Sequence, residues 1–240
     1  MSRAIPNAYD DGDRAAAYAD LGFAGTYYLA FRDLPALLAR HVAGRSALDF
    51  GCGAGRSTRL LEELGFETVG IDVAEPMLRI ARERDPDGTY LLVHDDAATG
   101  WPDGPFDLVL AAYPFDNIGD VAHRRRLLAA IRQRLAPDGR LVLIASAAEL
   151  YAHEWLSFTT AFPENDVART GDTVRIAITD GTDARPIHDV LWDDDAYRQD
   201  FGATRLALLE THRPLGRPDE PYPWATELHV SPWALYVCGR

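Results

Sequence analysis

The sequence predicts a single α/β domain with a doubly wound, mostly parallel sheet of seven strands and helices on both faces. Three observations lead to this prediction. Between about Arg45 and Ser146, short apolar runs alternate with amphipathic helical stretches, as in successive strand–helix–strand units. The first such strand runs into a glycine-rich turn that opens a helix. The length of 240 residues and a hydrophobic content of 47% suit one sizeable core.

The core, residues 45–147, contains five predicted strands and three predicted helices. Each strand is short and apolar, which is typical of strands covered on both faces. We expect the strands at 47–50, 68–72, 90–94, 106–112 and 140–145. Apolar residues recur at helical spacing over 56–64, 75–84 and 122–135, which predicts the helices. Gly65 ends the first helix, and the turn residues Pro137-Asp138-Gly139 end the last.

Three further segments complete the domain. Residues 1–44 form an N-terminal helical segment that we expect to act as a lid, and Asp33 followed by Pro35 marks a helix start that leads to His41. Residues 148–204 form an insertion after the fifth strand, with a strand near 174–179 and a helix near 194–201. Residues 205–240 supply two last strands, near 206–211 and 234–238, and the last strand is antiparallel.

Charge and composition argue against several classes of partner. The 37 acidic and 24 basic residues give a formal charge of -13, which repels nucleic acid and anionic lipid. We interpret the basic run at 123–126 as a solvated helix face. The two cysteines, Cys52 and Cys238, exclude a disulfide framework, and residues 1–13 lack the apolar run of a signal peptide or membrane anchor. We therefore expect a cytoplasmic monomer or homodimer whose partner is a small molecule.

No metal site is predicted. Asp193, Asp194 and Asp195 are consecutive carboxylates just before a predicted helix. Consecutive carboxylates diverge, whereas an aspartate at this position caps the helix and favours its dipole. We interpret this acidic run as a helix N-cap.

The glycine-rich turn is the predicted ligand-binding segment. Gly51, Gly53 and Gly55 lack side chains, so the backbone can turn sharply and a ligand can lie against the free N–H groups at the helix start. Asp72 ends the second strand, 21 residues after Gly51, where a carboxylate can bind both hydroxyls of a ribose. A dinucleotide site would need a small residue at position 56, which is Arg56 here. A nucleotide-like cofactor other than a nicotinamide dinucleotide is therefore predicted.

The spacing D-x-G-x-G-x-G from Asp49 to Gly55 resembles motif I of the class I, Rossmann-like S-adenosylmethionine (SAM)-dependent methyltransferases. Other segments resemble this family at the right intervals: residues 69–78 around the second strand, 95–97 after the third, and 106–109 and 135–141 around the fourth and fifth. The resemblance covers roughly residues 45–147. It implies SAM as the cofactor and a methyltransferase activity.

The resemblance also implies a set of cofactor-binding residues. Asp49 suits the cationic amino group of SAM, and Asp96 with Ala97 lies beside the adenine, with Asp95 as the register alternative. The segment from Thr26 to Tyr28 either closes over the cofactor as a lid or belongs to a helix that buries its aromatic rings. The full set is Asp49, Gly51, Cys52, Gly53, Gly55, Asp72, Val73, Met77, Asp96, Ala97, Tyr113 and Tyr28.

Methyl transfer requires alignment and exclusion of water more than acid–base groups. The loop after the fourth strand, residues 113–117, lacks the Asn-Pro-Pro-Tyr signature of family members that methylate amide or ring nitrogens. The candidate catalytic residues are Tyr113 in this loop and His153, just beyond the fifth strand, as a base. We expect O- or N-methylation of a small molecule by in-line displacement. The alternatives are a SAM-dependent step without methyl transfer, such as cyclisation, and a non-catalytic SAM-binding or partner subunit.

Overall fold

The N-terminal segment folds into three short helices. In the computed structural model, which describes residues 7–94 and 99–240, these are α1 (Gly12–Ala19), α2 (Thr26–Arg32) and α3 (Leu34–His41). Asp11 caps α1 by accepting from the N–H groups of Asp13 and Arg14. Helix α3 carries a proline in its first turn and ends at His41, as the sequence predicts. Within the described residues, no helix is both long and apolar enough to cross a membrane.

The core alternates strands and helices in the predicted order. Its elements are β1 (Ser46–Phe50), α4 (Arg56–Glu63), β2 (Glu67–Asp72), α5 (Glu75–Arg84), β3 (Thr89–Leu92), β4 (Phe106–Ala112), α6 (Val121–Arg134) and β5 (Leu135–Ser146). The predicted bounds of α5 and β4 are correct at both ends. Strand β5 starts earlier than predicted because Leu135 already pairs with Phe106, while Arg140 pairs with Leu108. The predicted turn at 137–139 is therefore a bulge within β5.

The insertion contains more β-structure than the sequence predicts. Its strands are β6 (Phe158–Thr159), β7 (Thr173–Ile178) and β8 (Ile187–Val190), followed by α7 (Asp194–Ala203) and then β9 (Ala207–His212) and β10 (Trp233–Gly239). Strands β6, β7 and β8 form a separate antiparallel sheet, of which only β7 is predicted. Asp193 caps α7 by accepting from the N–H of Ala196 at 2.9 Å, as the sequence predicts.

The main sheet has seven strands in the order β3-β2-β1-β4-β5-β10-β9. The first five run parallel, and β10 is antiparallel to both β5 and β9. This confirms the predicted fold class. Chain order reverses between β1 and β4, and open α/β sheets bind ligands at the carboxyl ends of the strands at such a switch point.

Two apolar layers cover the sheet, because alternate strand residues face opposite sides. Leu108 and Leu110 of β4 pack with α2, α3 and the insertion, whereas Val109 and Ala111 pack with α6 and α7. Both layers are buried, and the layer that contains α2 and α3 brings the N-terminal segment to the edge of the sheet near the glycine turn.

The interpretation of the basic run on α6 as a solvated face is wrong for Arg124. Its side chain is fully buried, and its Nε donates to Oδ2 of Asp200 at 2.9 Å. The guanidinium also lies 4.3 Å from the ring centroid of Trp192. Arg125 donates to the other oxygen of Asp200 at 2.8 Å. Helix α7 packs across α6 and supplies the acceptor, so Arg124 and Arg125 form an ion-pair cluster with Asp200, whereas Arg126 is exposed.

Candidate active site

The glycine turn between β1 and α4 has a backbone that other residues rarely adopt. Gly51, Gly53 and Gly55 have φ angles of 73°, 53° and 77°. A Cβ atom on Gly51 would lie 2.7 Å from the ring of Pro114, and one on Gly55 would lie 2.6 Å from the hydroxyl of Tyr90. The close approach and the backbone conformation together explain the glycines at 51 and 55.

Asp72 joins the glycine turn to the start of α5. Its Oδ2 accepts from the N–H of Gly53 and its Oδ1 from the N–H of Ala74, each at 2.8 Å. Burial raises the pKa of Asp72, and these backbone hydrogen bonds oppose that rise. Asp72 therefore lies at the turn, where the sequence places it, and it also positions the turn, which the sequence analysis does not predict.

Two apolar side chains of the implied set flank Asp72. Val73 is 45% exposed, so it offers an apolar surface beside the turn. Met77 is buried, and its Cε would lie 3.8 Å from a Cβ atom on Gly53. The side chain of Cys52 packs behind the turn with Leu78. Only the backbone of Cys52 is therefore suited to contact a ligand in the turn.

Asp49 is a fully buried carboxylate behind the turn. Its Oδ2 accepts from the hydroxyls of Ser57 and Thr58 on α4, each at 2.7 Å. Its Oδ1 has no hydrogen-bond partner among the described residues. Burial raises the pKa of Asp49 to about 6. One oxygen thus stays available to a cationic donor, and the two hydroxyl donors at 57 and 58 are site residues that the sequence analysis missed.

A cavity of about 420 Å³, including its open mouth, lies against the turn. We call it the cofactor cavity. This volume falls within the range of small-ligand sites, about 300–1,000 Å³. Its walls combine the turn, the start of α4, the end of β4 and the N-terminal segment. Among the lining residues are Gly51, Gly53, Ser57, Tyr113, Phe31, Tyr18 and Leu21.

Tyr113 closes the cofactor cavity at the end of β4. Its φ of 71° lies in the left-handed region, which non-glycine residues rarely adopt and which is often found at functional sites. Its hydroxyl is buried and has no hydrogen-bond partner in the described part of the chain. Burial raises the pKa of this hydroxyl well above its ordinary value. Tyr113 thus lines the cofactor cavity with a backbone conformation that non-glycine residues rarely adopt.

Arg56 holds the N-terminal segment over the cofactor cavity by hydrogen bonds. Its guanidinium donates to the carbonyls of Leu21 and Gly22 at 3.1 and 2.6 Å. It also lies 5.0 Å from the ring centroids of Phe23 and Tyr27. The sequence analysis used Arg56 only to exclude a dinucleotide. The aromatic content of residues 18–31 was the signal that a cation could pack there.

Two predicted site residues do not line the cofactor cavity. Tyr28 packs against Tyr222, with ring centroids 5.1 Å apart, whereas the neighbouring Tyr27 is buried at 5% exposure. Helix α2 thus buries the rings of Tyr27 and Phe31, whereas Tyr28 is half-buried and does not line the cofactor cavity. His153 is exposed, and its ring contacts Trp155 at a centroid distance of 6.0 Å. It is not among the residues that line the cofactor cavity. Asp95, Asp96 and Ala97 lie outside the described residues.

A buried acidic pair lies next to the loop after β4. Asp116 accepts from the N–H and hydroxyl of Ser146, at 3.0 and 2.8 Å. Asp189 of β8 accepts from Nδ2 of Asn117 at 2.8 Å and from the hydroxyl of Tyr151 at 3.1 Å. Burial raises the pKa of both carboxyls, and the charge of Asp116 raises that of Asp189 further. The sequence analysis missed Asp189 because no local pattern relates the insertion to this loop.

Comparison with known proteins agrees with this geometry. Residues 48–143 match the family described as methyltransferase domain. Residues 48–143, two fifths of the chain, are therefore similar to this family. The matched residues include the glycine turn and run from β1 into β5.

Relatives of the chain include the demethylmenaquinone methyltransferase of Thermus thermophilus, which is 38% identical over 112 residues; these are 45% of this chain and 50% of that protein. The chain thus spans about half the length of this curated relative. The CcbJ methyltransferase of Streptomyces caelestis aligns with a TM-score of 0.65 at 18% identity, over 96% of this chain and 97% of that one. A SAM-dependent methyltransferase of Clostridium acetobutylicum aligns with a TM-score of 0.63 at 12% identity, over 97% and 99%. These similarities show the class I methyltransferase fold over nearly the whole chain.

Proposed function

We propose that this chain transfers the methyl group of SAM to a small-molecule acceptor. The observation that carries the proposal is Asp49, a fully buried carboxylate with one oxygen that has no partner among the described residues. It lies behind a turn of three glycines at positive φ, of which Gly51 and Gly53 line the cofactor cavity. A small acceptor is supported by the N-terminal segment, which Arg56 fastens over that cavity. It is also supported by relatives named for methylation of demethylmenaquinone.

The residues of the cavity fit this cofactor. Oδ1 of Asp49 can accept from its amino group, and the glycine turn lets its chain lie against the backbone. The carboxylate of Asp72 retains lone pairs for ribose hydroxyls beyond the two bonds it accepts from the backbone. When bound, SAM supplies a sulfonium-activated methyl group. Val73, which is 45% exposed, provides apolar surface beside the turn, and the buried Met77 packs against Gly53.

The protein's own part is alignment, exclusion of water and removal of a proton. Arg56 and the aromatic rings around it exclude water from one side of the cavity. Asp189 is better suited than the exposed His153 to take a proton from a hydroxyl acceptor. Its carboxyl is buried, and burial, followed by the charge of Asp116, raises its pKa to about 8, near the pH at which a general base is most effective. The acceptor O–H bond then breaks, the proton moves to the Asp189 carboxylate, and the oxygen is free to take the methyl group.

Calorimetry and product analysis test this function. We expect SAM and S-adenosylhomocysteine to bind at micromolar or tighter levels, and NADH to give no heat. With methyl-labelled SAM and a size-fractionated cell extract, label should enter the low-mass fraction. Label mainly in polymer would refute the small acceptor, and tight SAM binding without any S-adenosylhomocysteine formation would favour a non-methylating or non-catalytic role.

Asp189→Asn tests the proton acceptor separately. The amide keeps one oxygen acceptor but cannot take the proton, and general-base catalysis contributes about 10²–10⁴-fold. Turnover of a hydroxyl acceptor should fall at least a hundredfold while the Kd for SAM stays unchanged. The exposed His153→Gln variant is the control and should retain its turnover. Loss of activity in His153→Gln with full activity in Asp189→Asn would reverse the assignment.

A further inference from the structure

A second cavity, of about 280 Å³ including its mouth, lies between α1 and the hairpin of β7 and β8. We call it the hairpin cavity. Tyr18 and Leu21 line both this cavity and the cofactor cavity. The two cavities therefore meet at these two side chains. A molecule in the hairpin cavity would lie next to a ligand bound at the glycine turn.

The walls of the hairpin cavity are aromatic and aliphatic. The rings of Tyr9 and Tyr18 lie 4.8 Å apart at an angle of 55° and form one wall. Ile178 and Ile187, from the two strands of the hairpin, and Ala17 of α1 supply apolar surface. A flat apolar ring gains both area burial and ring–ring contact in such a space.

The charged groups at the rim already neutralise one another. Arg14 donates through Nε to Oδ2 of Asp183 at 3.1 Å. Arg185 donates through Nε to Oδ1 of the same carboxylate and through an Nη atom to Oδ2 of Asp11, each at 2.8 Å. A phosphate or carboxylate on the acceptor would have to compete with these pairs and would be repelled by their aspartates. An uncharged molecule leaves the pairs intact.

We infer that the hairpin cavity binds the methyl acceptor, and that the acceptor is an uncharged molecule with an aromatic or similarly flat apolar ring. Asp189 follows Ile187 on the same side of β8, since residues two apart in a strand share a face. The wall of the cavity thus continues to the buried carboxylate beyond it. This inference rests on the proposed function, because only a methyltransferase would make the bound molecule a methyl acceptor.

Binding of a matched pair of probes tests the inference without turnover. The probes are 1-naphthol, uncharged, and 1-naphthyl phosphate, titrated calorimetrically into the protein loaded with S-adenosylhomocysteine. We expect 1-naphthol to bind at least tenfold more tightly than the phosphate. Equal or tighter binding of the phosphate would overturn the uncharged class, and no binding of 1-naphthol would overturn the site.

Two tryptophan variants of α1 locate the probe. Ala17 lines the cavity, whereas its neighbour Ala16 is exposed on the same helix, so Ala17→Trp fills the cavity and Ala16→Trp is a matched control. The Kd of 1-naphthol should rise at least tenfold in Ala17→Trp and stay unchanged in Ala16→Trp, while S-adenosylhomocysteine affinity stays the same in both. Equal naphthol binding by the two variants would overturn the assignment.

Two further controls separate a folding defect from a failure of the proposed function. If circular dichroism shows that Ala17→Trp does not fold, Thr182→Trp on the facing hairpin fills the same cavity, with the exposed Ala184→Trp as its control. The same tenfold contrast is expected, and its absence would count against the site. Naphthol bound as expected, without S-adenosylhomocysteine formation from any acceptor, would refute the proposed function and leave the cavity assignment in place.

Discussion

Removal of the Asp72 carboxylate should weaken both the fold and the cofactor site. This carboxylate accepts one hydrogen bond from the N–H of Gly53 in the turn and one from the N–H of Ala74 at the start of α5, each at 2.8 Å. Asp72→Ala therefore removes the hydrogen bond that holds the glycine turn against the end of β2. It also removes the group proposed to bind the ribose hydroxyls.

The size of the effect follows from these contacts. Hydrogen bonds to a charged group contribute about 1.5–3 kcal/mol each. Burial raises the pKa of Asp72, which means that the ionised carboxylate is partly destabilised in the folded protein, so the low end of this range applies. We expect the free energy of unfolding to fall by about 3 kcal/mol from two bonds. The Kd for SAM should rise more than tenfold, which corresponds to more than about 1.4 kcal/mol.

Asp107→Ala is a matched control at the amino-terminal ends of β1 and β4, whereas Asp72 lies at the carboxyl end of β2. Oδ2 of Asp107 also accepts from two backbone N–H groups, those of Arg45 and Ser46, at 2.9 and 3.0 Å. Both aspartates are half-buried. Urea unfolding should therefore show similar losses of stability in the two variants. Calorimetry should show weaker SAM binding in Asp72→Ala alone, and an equal change of Kd in both variants, or in neither, would refute the assignment.

Other expected outcomes concern charge and close contact. Because burial raises the pKa of Asp49 to about 6, its carboxylate is protonated below that pH, so SAM affinity should fall up to tenfold per pH unit below pH 6. Asp49→Asn should flatten this profile, and an unchanged profile would contradict the role. Arg124→Met should lose about 3–5 kcal/mol of unfolding free energy in urea, whereas the exposed Arg126→Met should stay within about 0.5 kcal/mol. Gly55→Ala should lower the free energy of unfolding by about 1–3 kcal/mol more than Gly65→Ala. Both glycines have positive φ, but only at Gly55 would the new Cβ lie 2.6 Å from a tyrosine hydroxyl. Equal losses in the two variants would disprove the contact.

Local sequence patterns predicted the core of the fold correctly. Periodicity and glycine spacing depend on neighbours along the chain, so α5 and β4 could be placed at both ends and the three glycines could be assigned to a turn. The same holds for Asp193, whose capping role depends on the three residues after it. The strands of the insertion are harder to predict from sequence, since β6 has only two residues and carries no periodic signal.

The doubly wound sheet, the glycine turn and the class of cofactor could all be predicted from local sequence, because each is encoded over a few tens of neighbouring residues. Contacts between side chains that are far apart in the chain depend on the packing of whole elements and could not be predicted in this way. Asn117 and Asp189 are 72 residues apart, and Arg124 and Asp200 are 76 apart, yet each pair is hydrogen-bonded in the interior. Burying a charged or polar group destabilises the fold unless the group is hydrogen-bonded, and here the partner comes from a distant part of the chain. The acidic pair, the inward face of Tyr27 and the exposed position of His153 therefore depend on how the insertion and the N-terminal segment pack on the sheet.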